Sequence, residues 1–280
     1  MARILIVEGN TREILNRMQE LGYQDTAGAY GDVLKEIGFV DTIDIAYPGE
    51  EGANIDTPVP LSDYTGIAWT GSALNAYKND DAIAINHQRD FALRAFTSGT
   101  PIFGSCWGMQ IMAMALGGQV IKNPMGRELG VARNITVNAL GQKHPMFAGR
   151  NIAYDQLSVH TDIVATAPKG AVVLSANENT SIQSMVIEEG GGTFWGVQYH
   201  PEFDFAYLSG ILRRYGQRLV DDGYFKNLDD LHAHADTWQS IHDTPDDFAN
   251  TWRYGFSADV TTPERRRLEL INWLDFIKGR

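Results

Sequence analysis

One cysteine stands in 280 residues. A single thiol permits no internal disulfide, which excludes a disulfide-stapled secreted scaffold and points to a reducing compartment. Basic residues are also few. The chain carries 23 Lys+Arg against 35 Asp+Glu, a net charge of −12 that speaks against nucleic acid as a partner and for small-molecule chemistry. Long apolar runs are missing as well: none approaches the ~20 residues that span a bilayer. Met1-Ala2-Arg3 leads straight into a strand instead of a signal peptide. Internal repeats and low-complexity segments are absent. These absences predict a cytoplasmic protein with no membrane partner. The hydrophobic share, 44%, is that of an ordinary globular chain, and the length suffices for a sizeable core.

The stretch around which the rest is organised runs from Pro101 to Gly118. Pro101-Ile102-Phe103 reads as a short buried strand, and Cys106 to Leu116 as a helix of good helix formers ended by Gly117-Gly118. Between them lies Gly104-Ser105-Cys106-Trp107-Gly108, a Gly-x-Cys-x-Gly form of the nucleophile elbow. A side chain held on a sharp strand-to-helix turn needs small neighbours, so that the backbone bends without clashes. A sulfur at a helix N-terminus also feels the positive end of the dipole, which favours thiolate. The alternative is a buried structural cysteine, against which the flanking glycines argue.

The remainder of the first half alternates strands and helices. Arg3 to Val7 is a continuous apolar run, as in a parallel strand covered on both faces. Glu8 follows it as a helix-start residue, a pocket wall or a contact for a substrate amine, with the structural role favoured. Gly22 to Gly31 reads as a loop, with a helix from Asp32 to Ile37. Val40 to Tyr47 and Gly66 to Ser72 read as strands, and Ile83 to Phe96 as a helix. This alternation predicts an α/β fold, a doubly wound, mostly parallel sheet flanked by helices. After the elbow helix come short strands, Gln119–Lys122, Leu129–Val137, Tyr154–Val159, Val172–Ala176, Gln183–Glu188 and Thr193–Tyr199. Glu189-Gly190-Gly191-Gly192 is a hairpin loop, not a phosphate cradle, since no helix follows it. Phe205 to Val220 reads as one amphipathic helix whose Arg213, Arg214 and Arg218 form a solvated face. From Asp221 to Arg280 the aromatics, among them Trp238, Trp252 and Trp273, contradict disorder. The expected division is a domain over residues 1–220 and a helical C-terminal extension over 221–280. That extension packs on the domain or on a second subunit, so a homodimer is one outcome.

A second stretch completes the constellation. Thr193 to Tyr199 ends in His200-Pro201-Glu202, where the proline must turn the chain and leave His200 and Glu202 at the strand's carboxyl end. A cysteine with a distant histidine, and a carboxylate to orient that histidine, is the recurring arrangement of activated nucleophiles. Gly-x-Cys-x-Gly-x-Gln followed by Gly-Val-Gln-Tyr-His-Pro-Glu resembles the class I (triad) glutamine amidotransferase family, in particular the glutaminase domain of GMP synthetase. The resemblance runs from Arg3 to about Arg218.

The resemblance implies a flavodoxin-like fold with Cys106 as nucleophile, His200 as base and Glu202 as its orienting acid. Attack on an amide carbonyl builds charge on oxygen and needs preorganised N–H donors. The elbow offers the Trp107 backbone, and the family's Gly-rich turn corresponds to Gly71, where Thr70 and Ser72 depart from the usual Gly-Gly-Pro. Gln110 corresponds to the glutamine that helps hold the substrate's amino-acid head. Ser158, Val159 and His160 fall in the family's Ser-His-Gly-Asp region, which binds that head largely through backbone; His160 is equally readable as a structural histidine. His144 is read as turn chemistry, and His232, His234 and His242 as surface residues, not a metal site. The implied reaction needs no metal or organic cofactor. It is hydrolysis of a γ-glutamyl amide, glutamine or a γ-glutamyl amine, through a cysteinyl thioester. The alternatives are a glutaminase that delivers ammonia to a separate synthetase subunit, and a catalytically silent regulatory subunit.

Overall fold

A computed structural model describes residues 2–20, 22–52, 54–77 and 82–279. Its first strands are β1 (Arg3–Val7), β2 (Thr42–Ala46), β3 (Gly66–Trp69) and β4 (Ile102–Ser105). Then follow β5 (Gln119–Lys122), β6 (Glu128–Val137), β7 (Ala153–His160) and β8 (Asp162–Thr166). The last are β9 (Val172–Ala176), β10 (Ser184–Glu189) and β11 (Gly192–Val197). Nine of them form one sheet in the order β2-β1-β3-β4-β11-β10-β9-β6-β7, while β5 and β8 make a separate ribbon. The half from β2 to β11 is parallel, and the half from β10 to β7 is antiparallel. The apolar runs of β1, β3, β4 and β11 explain why the parallel half is buried on both faces.

One face is covered by the Ala82–Thr97 and Trp107–Ala115 helices, where Phe91, Ala95, Met109 and Met112 pack with Leu5, Ile67 and Trp69. The other is covered by the Thr26–Glu36 helix and by Leu268–Lys278 from the far end of the chain. Leu270, Trp273, Leu274 and Ile277 of that last helix join Ile4, Ile6, Phe103 and Trp195 in one core cluster. Trp273 is fully buried, and Gly66 beneath it has no room for a side chain, since an added Cβ would lie 2.8 Å from the indole. Beside it, Glu269 receives Arg150 in a two-point pair (2.7 and 3.0 Å), both side chains fully buried. The Tyr199 hydroxyl donates to the same carboxylate at 3.1 Å. Removing the largest side chain of this contact leaves a cavity that the sheet cannot close. Trp273→Ala is therefore expected to lower the unfolding free energy by about 3–5 kcal/mol in guanidinium titration. A change under about 1 kcal/mol would show the helix to be a passive cover.

Four expectations need correction. The Gly22–Gly31 stretch is not all loop, because a helix begins at Thr26, where Asp25 accepts the Gly28 amide as its cap. The glycines there serve close packing, Gly31 lying against Ile6. The expected Phe205–Val220 helix stops at Tyr215, breaks at Gly216 (φ 39°) and resumes as Gln217–Asp221. Strand β8, absent from the sequence reading, pairs antiparallel with β5. Finally, not every aromatic of the later helices is inside. Trp252 is 84% exposed and Phe248 73%, because the Phe248–Tyr254 helix buries only Thr251.

Candidate active site

The parallel half of an open α/β sheet places its ligands at the carboxyl ends of the strands, and the expected functional residues gather there. Cys106 follows β4 and is the residue before the Trp107–Ala115 helix. Its backbone has φ 48°, a region that an L-residue enters only when the surroundings hold it. The neighbours explain how. A Cβ at Gly104 would fall 2.8 Å from the Gly108 backbone, and one at Gly108 2.8 Å from Trp69, so larger residues would push the helix off the strand. The Cys106 amide donates to the Val197 carbonyl at 2.7 Å, locking the elbow to the end of β11. Adjacent strands thus deliver the two halves of the constellation.

Three residues beyond β11, His200 Nδ1 lies 2.7 Å from Glu202 Oε1. The ring is stacked on Phe203, 3.8 Å between centroids and 2° from parallel, and its amide donates to the Leu157 carbonyl. On the opposite edge, an added Cβ at Gly71 would lie 2.5 Å from His200 Cε1, so only glycine lets the turn after β3 approach the imidazole. The Thr70 hydroxyl donates to the Gly71 carbonyl and accepts the Gly9 amide, which fixes that turn. Beyond it, Asn75 and the Ala76 amide donate to the Asp162 carboxylate, so the 72–77 segment is tied to the β7–β8 connection.

Burial, reinforced by the negative charges of Glu202 and Asp162, pushes the Cys106 thiol well above its ordinary pKa. The Trp107 amide and Gln198 oppose this only in part. Burial thus works against the lowering that the helix N-terminus of the elbow alone suggests.

The other expected residues divide. Gln110 and Val159 line the pocket beside Cys106. Gln110 gives both amide hydrogens to protein, to the Asp162 carbonyl (2.9 Å) and Gln198 Oε1 (3.3 Å). His160 has both ring nitrogens taken, by Glu128 (2.9 Å) and the Asp162 carbonyl (3.0 Å), as a structural histidine does. Ser158 is fully buried and lines neither lobe of the pocket described below. Glu8 is fully buried, its oxygens accepting from Asn10 and from Ala27 at the start of the Thr26–Glu36 helix. Burial raises its pKa to about 7, and it is a structural residue. His144 accepts the Met146 amide, as turn chemistry.

Several residues with a place at the site were missed. Gln198 Nε2 donates to Cys106 Sγ at 3.5 Å. Two lobes open over the candidate catalytic residues, sharing Ser72, Ala73, Val159 and Tyr215 as a common wall. Cys106, Gln110, Arg127 and Arg218 line one; His200, Phe203, Tyr207 and Arg214 line the other. Arg214 and Arg218 are thus at the mouth and not merely a solvated face. With Arg127 they surround the Tyr215 ring, their guanidinium carbons 5.1, 6.0 and 5.2 Å from its centroid. The Arg127 side chain is only 6% exposed and its Nε is buried without a partner. The Tyr224 hydroxyl holds its backbone, accepting the amide at 2.8 Å.

A doubly wound sheet with a nucleophile elbow at its carboxyl edge places the chain among the α/β proteins that carry a thiol on a strand-to-helix turn. The comparisons make this specific: the chain belongs to the glutamine amidotransferase class-I family, whose model matches residues 51–209. It is similar over nearly its whole length to a γ-glutamyl-L-1-hydroxyisopropylamide hydrolase of Pseudomonas sp., 34% identical over 98% of this chain and 92% of the relative. A GMP synthase of Symbiobacterium thermophilum is 38% identical over 37% of this chain, which spans 19% of that longer protein. Among solved structures, a glutamine amidotransferase of Thermotoga maritima superposes with a TM-score of 0.63 over 100% of this chain and 99% of its own, at 17% identity. That likeness is one of fold. No helix among the described residues is long and apolar enough to cross a membrane.

Proposed function

We propose that this chain hydrolyses γ-glutamyl amides through a Cys106 thioester. The observation that carries the reading is the meeting of a strained Cys106 with the His200–Glu202 pair on adjacent strands, joined by the Cys106–Val197 backbone bond. Burial pushes the thiol up, so its proton is taken during the attack: it passes to His200 as Sγ adds to the amide carbonyl. Negative charge on the carbonyl oxygen is received by the backbone N–H groups of Trp107 and Gly71. Glu202 steadies the imidazolium, which then gives its proton to the departing amine. Water, deprotonated by His200, cleaves the thioester and frees glutamate.

The Cys106 side of the pocket receives the glutamyl group. Arg127, buried with an unpartnered Nε, pairs with its α-carboxylate, and the backbone of Val159 and His160 contacts the head. Gln110 acts as a positioning residue, since it holds Gln198 against the sulfur. The whole-length similarity to a hydrolase favours free-standing hydrolysis over ammonia delivery to a separate synthetase.

The test is glutamate release from glutamine and a panel of γ-glutamyl amines, run beside amides that lack the α-carboxylate. Turnover confined to the γ-glutamyl compounds, with a γ-glutamyl diazoketone labelling Cys106 alone, is expected. Absence of glutamate from every member of the panel would overturn the reading.

A further inference from the structure

The two lobes differ in which half of the catalytic machinery they contain, and this sorts the two ends of a substrate. Resting on the γ-glutamyl amide reading, the acyl group must lie on the nucleophile's side, and the amine must leave toward the group that protonates it. The lobe lined by His200 and not by Cys106 therefore holds the departing amine.

Its lining is selective. Asn10 has no capacity left: its amide donates to Glu8 (2.9 Å) and Thr26 (3.0 Å), and its oxygen accepts from Ser72 and Ala73. Two acids stand behind the lining: Glu8, fully buried behind Asn10, and Glu202, bound to His200 Nδ1 at 2.7 Å. Among the described residues no carboxylate lines the lobe itself. Phe203 and Ile211 offer apolar wall for a short carbon chain. Arg214 supplies its charge, on a helix that starts three residues after Glu202 and so keeps a fixed distance from His200. Arg218 converges on the same Tyr215 ring, with Asp222 the acid beside it, 4.0 Å away, while Arg127, on the same ring, is taken by the glutamyl α-carboxylate. A cationic amine finds repulsion here, and an acidic one a partner.

We propose that this lobe is a leaving-amine subsite selective for short amines that end in a carboxylate, and that Arg214 is the residue that reads it. The preferred substrates are then γ-glutamyl amides of amino acids, not of diamines.

Three γ-glutamyl amides of matched chain length test this: those of β-alanine, propylamine and 1,3-diaminopropane. The β-alanine and propylamine leaving groups differ little in basicity, so the ratio of their kcat/KM values reports recognition. The diamine, made less basic by its distal ammonium, is the better leaving group, so its slowest use runs against intrinsic reactivity. The wild-type enzyme is expected to prefer the β-alanine amide over the propylamide by about tenfold or more and to use the diamine amide least. Arg214→Gln should bring the β-alanine to propylamide ratio toward one, and Arg214→Glu should reverse the order at the charged ends. Ratios between substrates of one variant are unaffected by a general loss of active protein. Equal use of the three amides by the wild type, or ratios unchanged in both variants, would overturn the subsite while leaving γ-glutamyl hydrolysis intact. No glutamate from any of the three would overturn both.

Discussion

Cys106→Ser is expected to reduce glutamate release by about 10³-fold or more, because the hydroxyl is a weaker nucleophile and a weaker acid than the thiol it replaces. The substitution is nearly isosteric at a position where the fold is demanding, since the φ of 48° comes from the packing of Gly104 and Gly108, not from the sulfur. The variant should therefore fold, and its melting temperature should stay within a few degrees of the parent's. Substrate should still bind, so a γ-glutamyl amide is expected to raise the melting temperature of the inactive protein. Retention of more than a few per cent of turnover would remove Cys106 from the role given to it.

His200→Ala should cost within about tenfold of the same amount, since residues that act as a unit are not additive. In the proposed mechanism the ring takes the proton of a thiol that burial pushes up and hands it to the amine, and the alanine can do neither. Glu202→Gln isolates a different contribution. Glu202 meets His200 through one oxygen at 2.7 Å, while its second is buried without a hydrogen bond. A glutamine keeps the shape and an accepting oxygen but removes the charge that steadies the imidazolium. A milder loss, about 10- to 10³-fold, is expected. Should Glu202→Gln match His200→Ala, the carboxylate would be holding the loop as well as the ring. Steady-state rates with glutamine, alongside circular dichroism of each variant, separate these outcomes.

The candidate cluster is legible in the sequence because its two motifs carry local constraints. Gly104 and Gly108 announce a bend that only small residues permit, and Pro201 announces the end of a strand. What joins them is not local. That β4 lies beside β11, so that Cys106 and Val197 share a hydrogen bond, is a pairing between distant segments with no mark in either. Gln198, Arg127 and Arg214 were overlooked for the same reason: each lies in a segment whose own pattern is that of a strand, a turn or a solvated helix. Glycine misled at Gly28 and Gly31, where propensity predicts loop, yet Gly31 faces Ile6 and Ile43 of the sheet and Gly28 leaves room for the Asp25 cap. Aromatics misled in the other direction. Trp252 and Trp273 read alike in sequence, yet one is 84% exposed and the other fully buried. Only Trp273 has a sheet glycine, Gly66, opposite it.

The contact between Glu269, Arg150 and Tyr199 has a bearing on how the protein is made. Tyr199 adjoins His200, so the strand end that carries the histidine is anchored to a helix near residue 269, long after every candidate catalytic residue has left the ribosome. Until that helix arrives, the guanidinium of Arg150 lacks the Glu269 carboxylate, and Phe103, Trp195 and Ile4 lie on a sheet face that the Thr26–Glu36 helix covers only in part. A nascent chain thus holds Cys106, His200 and Glu202 well before the strand end beside His200 has its anchor, and the partly bare face in the interval is the surface a ribosome-associated chaperone would meet.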